Sequence, residues 1–69
     1  MKVFDSGMLR VARRQCHMKQ VDVAKVLSVT PQTIGNMENS KVRTTAEDLA
    51  VLADLYQMDI RDFYKERLD

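Results

Sequence analysis

Apolar residues along this chain recur at three- and four-residue spacing, the period of a helix buried on one side. Leu9, Ala12 and Cys16 mark the first stripe, over residues 6–16, with Val11 off it and Arg10, Arg13 and Arg14 around it. Val23, Ala24 and Leu27 mark a second over 20–27, and Ile34 and Met37 a third over 31–38. Leu49, Leu52, Ala53 and Tyr56 mark a fourth over 45–56; Ile60 and Phe63 mark a fifth over 60–67. No segment alternates with the two-residue period of a strand, and there are only two glycines and one proline. The pattern predicts an all-α chain of five short helices, organised as one domain over residues 1–69, without repeats or low-complexity tracts.

The polar residues between the stripes supply starts and stops. Asp5 or Ser6 can cap the first helix. Only Ser28, Val29 and Thr30 separate the second helix from the third, too few for a wide hairpin. Thr30 can cap the third helix, and Pro31 is tolerated at its first position. Thr44 or Thr45 forms a capping box with the acid three residues on, Glu47 or Asp48. Asp59 caps the last segment. Gln32, Thr33 and Asn36 share the polar face near the start of the third helix. Amide and hydroxyl groups there suit the edges of DNA bases better than they suit catalysis. Residues 20–39 thus read as a helix-turn-helix.

Composition narrows the function further. A chain of 69 residues makes one small domain with a marginal core, and such domains often add a metal, disulfides or a partner subunit. One cysteine, Cys16, and one histidine, His17, exclude an internal disulfide and a four-ligand zinc site, so no metal or cofactor is expected. Cys16 is read as a small buried apolar residue and His17 as an inert surface position. A partner subunit is the remaining source of stability. No apolar run reaches membrane-spanning length and no signal-peptide core is present, which points to a cytoplasmic protein without membrane contact. There is no Ser/His/acid set, phosphate-binding glycine loop or HExxH-type motif, so an enzyme is not expected.

The net charge of +1 conceals a division. Residues 1–43 carry eight Lys/Arg against three acids, a net +5, and residues 44–69 carry three against seven, a net −4. A basic half that contains the helix-turn-helix and an acidic half beyond it imply one charged face rather than a general polycation.

In register over forty residues, the chain resembles the Cro/phage-repressor-type (Xre-like) helix-turn-helix regulators. The residues that carry the resemblance are Gln20, Ala24, Val29, Thr30, Ile34, Met37 and Glu38, followed by Leu49, Leu52, Ala53 and Met58. It spans about residues 8–64. It implies a compact five-helix, lambda-repressor-like DNA-binding domain with the third helix in the major groove and the second braced across the phosphates. Gln32, Thr33 and Asn36 would then meet base edges. Lys19, Gln20, Thr30, Lys41 and Arg43 would hold the backbone. Arg13 and Glu38 match positions that form a buried ion pair in some members. Four residues depart from the family pattern: Lys19 replaces a Ser/Thr cap, Ser40 a helix-ending glycine and Thr44 a proline, while Gly35 interrupts the reading helix and is taken as a tolerated surface position.

Val51 and Leu55, four apart, fall on the outer side of the fourth helix, and Tyr64 and Leu68 repeat that spacing near the C-terminus. Together they suggest a homodimer face away from DNA. The function implied is a sequence-specific regulator of double-stranded DNA, a small repressor reading a palindromic operator, with no small-molecule ligand evident. The competing class is a protein-interaction module, an antitoxin or antirepressor, that keeps the fold and binds a protein partner.

Overall fold

The computed structural model describes residues 1–68. Four α-helices follow a short N-terminal strand: β1 (Lys2–Phe4), α1 (Gly7–Gln15), α2 (Gln20–Leu27), α3 (Pro31–Glu38) and α4 (Ala46–Leu55). A single 3₁₀ helix, Ile60–Phe63, leads into β2 (Tyr64–Glu66). Leu9, Ala12, Val23, Ala24, Ile34, Met37, Leu49, Leu52, Ala53, Tyr56 and Phe63 form one buried cluster. The four helical stripes therefore meet, each along the face that its spacing marked out.

The fifth helix is a correction. Residues 60–67 make one 3₁₀ helix and then an extended strand that pairs antiparallel with β1, placing Lys2 opposite Glu66, Val3 opposite Lys65 and Phe4 opposite Tyr64. The Asp5 N–H donates to the Phe63 carbonyl at 2.7 Å and the Arg67 N–H to the Met1 carbonyl at 2.8 Å, closing both ends of the ribbon. Strand pairing gives residues 2–4 and 64–66 backbone partners in each other, which a helix over 60–67 would deny to β1. Phe63 is fully buried, but Ile60, expected beside it, is 41% exposed because the 3₁₀ turn rotates it outward. Tyr64 packs edge-on against Phe4, with ring centroids 5.8 Å apart. Tyr64 and Leu68 consequently are not helical neighbours, and Leu68 is 90% exposed.

Two smaller expectations also change. Cys16 is exposed rather than buried, since α1 ends at Gln15 and the chain turns before the stripe is completed. Leu27 is only partly buried against the core. Caps at the helix starts explain the remaining boundaries. Thr30 Oγ1 accepts the Thr33 N–H at 3.2 Å and Thr45 Oγ1 accepts the Asp48 N–H at 3.1 Å. At α2, where Lys19 cannot accept, the Asp22 carboxylate takes the Lys19 N–H at 2.8 Å. Ser6 does not cap α1; its hydroxyl hydrogen-bonds that of Ser40, while Asp5 accepts the Gly7 N–H. The Thr44 hydroxyl, standing where a proline is usual, is buried with no partner among the described residues.

All four α-helices end in the same way. His17, Ser28, Ser40 and Gln57 each adopt φ between 56° and 61°, the left-handed conformation that glycine adopts without a steric penalty. The next residue then reaches back five: Met18 to Arg13, Val29 to Ala24, Lys41 to Asn36 and Met58 to Ala53, at 2.8–3.1 Å. This is the Schellman closure, and Met18, Val29 and Met58 place an apolar contact on the core as that motif favours. Neither glycine of the chain occupies such a position. Replacing Ser28 or Ser40 by glycine relieves this strain and should stabilise the fold by about 0.5–1 kcal/mol each. Thermal melts should rise by several degrees per substitution; a lower melting temperature for both would contradict the role assigned to these residues.

Candidate nucleic-acid interface

The two helices of the motif owe their crossing to small and branched side chains. Ala24 and Val23 on α2 are buried against Ile34 and Met37 on α3. With Ile34, Met37 and Glu38 turned inward, the other side of α3 presents Gln32, exposed, and Thr33 and Asn36, partly exposed. Gln32 and Asn36 are one helical turn apart and thus neighbours on that face. Among the described residues neither amide side chain has a hydrogen-bond partner, so both keep full donor and acceptor capacity. The Thr33 hydroxyl is instead engaged with that of Thr30 at 2.9 Å.

The residues expected on the DNA backbone differ in exposure. Lys19, Thr30, Lys41 and Arg43 are exposed, and Lys41 and Arg43 form no ion pair among the described residues. Gln20 differs, being partly buried and donating through Nε2 to Glu38 Oε1 at 3.4 Å. Of the residues grouped as a dimer face, Val51 is 42% exposed whereas Leu55 packs partly on the core.

Beneath α3 sits a buried carboxylate. The Glu38 side chain is 1% exposed, and its Oε2 accepts from Arg13 Nε at 2.7 Å while its Oε1 accepts from Arg13 Nη2 at 3.2 Å. Arg13 also donates through Nη1 to the Met18 carbonyl at 3.0 Å, tying the loop before α2 into the same network. Arg10 contributes a third guanidinium contact, Nε to Glu38 Oε1 at 3.4 Å, and its Nη2 donates to Asn39 Oδ1. The sequence signal for Arg10 is its place three residues before Arg13, which puts the two on one helix side. Asn39 carries no comparable signal, because its position follows from where α3 ends.

These contacts set the ionisation of the cluster. Burial by itself would push the Glu38 carboxyl up, but the hydrogen bond and charge of Arg13, aided by Gln20 and Arg10, hold it below its ordinary value. Arg13 is raised in turn, chiefly by its hydrogen bond to Glu38. Tyr56, buried nearby, is pushed up to about 12 by desolvation first and by the Glu38 charge second. Removing Glu38 by mutation to alanine leaves Arg13 buried and unpaired, which should cost about 3–5 kcal/mol in chemical denaturation. Because the folded Glu38 carboxyl is more acidic than the unfolded one, its contribution is complete above the ordinary value of 4.5 and lost as pH falls through the folded value. Wild type should therefore lose stability faster than Glu38→Gln as pH falls below the ordinary value of 4.5. Parallel stability–pH curves for the two would show that Glu38 is not the titrating group.

Among the described residues no group of three or more His, Cys, Asp or Glu is placed to hold a metal ion, and no helix is long and apolar enough to cross a membrane. A family model described as helix-turn-helix matches residues 9–63, most of the chain, from within α1 through α4. Comparison with curated proteins and with solved structures returned no match. The inward face of α3, its free outward amides and the extent of the family match agree, and the chain belongs to the Cro/C1-type helix-turn-helix family of DNA-binding regulators.

Proposed function

We propose that this chain is a transcriptional repressor that binds a palindromic operator as a homodimer in the cytoplasm, with α3 in the major groove. The observation that carries the reading is the pair of unpartnered amides, Gln32 and Asn36, on the one face of α3 that does not pack inward. Glutamine and asparagine bond adenine in bidentate fashion at its major-groove edge, and a threonine methyl such as that of Thr33 suits a thymine methyl. Lys19, Gln20, Thr30, Lys41 and Arg43 flank that face and serve the phosphates. Lys41 and Arg43 leave α3 through the closure at Ser40, whose backbone bonds hold the start of this loop against the helix end.

The dimer we infer uses the acidic side of the molecule, with Val51 at its centre. Two copies of α3 about 34 Å apart would meet half-sites one helical turn apart. Exposed Val21 and Val26 on α2 favour a second reading, contact with a protein partner as in an antitoxin or antirepressor. Selection of bound duplexes from a random pool separates the two, because only the regulator enriches a palindrome.

With an operator in hand, Gln32→Ala should relax base choice at one position by about 1–3 kcal/mol. Arg43→Ala and Lys41→Ala should weaken every sequence alike and lower the salt slope by about one unit each. A uniform loss for Gln32→Ala, or a sequence-selective loss for Arg43→Ala, contradicts these assignments. For the dimer, Val51→Glu alone is the clean substitution, since Leu55 also supports the core. It should halve the sedimenting mass and weaken operator binding at least about tenfold through lost bivalency. Unchanged mass together with unchanged affinity removes the dimer from the reading.

A further inference from the structure

Gly35 lies in the middle of the helix that reads DNA, where glycine is the poorest helix former after proline. Its surroundings explain why it stands there. A Cβ built at this position would come within 3.2 Å of Gln20 Nε2, 3.8 Å of its Cδ and 3.9 Å of its Oε1. The side-chain amide of Gln20 thus rests on the space that any other residue would fill. From there Nε2 reaches Glu38 Oε1 at 3.4 Å, already near the outer limit of a hydrogen bond. A methyl group at residue 35 demands that the Gln20 amide give way by a few tenths of an ångström, and a contact this long has little margin for that shift.

We propose that Gly35 is the seat of Gln20, and that the pair makes Gln20 a positioning residue joining α2 to α3. The amide nitrogen has two N–H groups. One is directed at Glu38, and the other is free among the described residues to meet a phosphate beside the positive N-terminal end of α2. Gln20 opens that helix at its first position, so the side chain and the helix end act on the same point. This last step rests on the DNA reading above; the seat itself does not. The network orders the functions of its members: Arg13 neutralises Glu38, Glu38 orients Gln20, and Gly35 leaves the room in which it is oriented.

The test uses Gly35→Ala, Gln20→Ala and the double variant. In the free protein, the side-chain amide protons of Gln20 are followed by ¹⁵N-resolved NMR. In wild type they should be shifted and slow to exchange; in Gly35→Ala they should move to the values of an exposed glutamine, while the melting temperature stays equal or rises. Binding is then measured to a 24-base-pair duplex of mixed sequence across a salt series. Gly35→Ala and Gln20→Ala should each weaken it by about fivefold to tenfold. The salt slope should stay unchanged, because a neutral amide releases no counterion, and the double variant should bind no worse than either single one. Unaltered Gln20 signals in Gly35→Ala overturn the seat whatever the DNA result. Losses that multiply in the double variant, or a changed salt slope, overturn the positioning role. If wild type itself fails to bind the duplex, the phosphate step is overturned and the NMR comparison alone decides the seat.

Discussion

A carboxylate with almost no exposed surface is the constraint on which the rest of this molecule depends. Glu38 is unfavourable in the interior unless it is neutralised and its lone pairs are filled. The structure answers with donors from two other helices: Arg10 and Arg13 from α1 and Gln20 from α2. A third connection, Arg13 to the Met18 carbonyl, holds the α1–α2 loop to the same point. The net stability such a buried pair contributes is modest against a well-packed apolar alternative. Its directional contacts nevertheless define one arrangement of α1, α2 and α3, which apolar packing by Ala24, Ile34 and Met37 leaves less sharply specified. Since α3 carries Gln32 and Asn36 on its opposite face, the orientation of that face is tied from below to this charge.

The same economy of residues governs how the helices stop. Four left-handed turns on His17, Ser28, Ser40 and Gln57 reverse the chain in a few residues without glycine. Three of them throw an apolar side chain back on the core, and the fourth, after α3, throws Lys41 outward. That single difference converts a structural turn into the start of a basic loop beside α3. Meanwhile the chain's two glycines stand elsewhere, one of them inside α3 beneath the Gln20 amide.

The ends of the chain complete the core in a way that helical spacing did not announce. Phe63, fully buried, is delivered by a 3₁₀ turn and locked by the strand pair formed with Lys2–Phe4. The surrounding ion pairs, Lys2 with Glu66 and Lys65 with Asp5, are exposed and add little. The ribbon also redraws the acidic side, where Val51 stays exposed while Leu55 turns partly inward and Tyr64 lies against Phe4.

Read alone, the amino-acid sequence determined the four α-helices to within a residue or so, most of their buried stripes, the cap on Thr30, the choice of Thr44 or Thr45 for the cap of α4, and the polar face of Gln32, Thr33 and Asn36. Those features are local: a 3.6-residue period, a hydroxyl three residues from an N–H, and a proline at a helix start each act within one or two turns. Tertiary structure alone decided the fate of residues 60–66, the exposure of Cys16 and Ile60, the recruitment of Arg10 and Gln20 to Glu38, and the purpose of Gly35. Each of these depends on what a distant segment places alongside: β1 beside β2, or the Gln20 amide over Gly35. A strand of three residues has too short an alternation to register, and an empty space beside a glycine has no signature until its neighbour arrives.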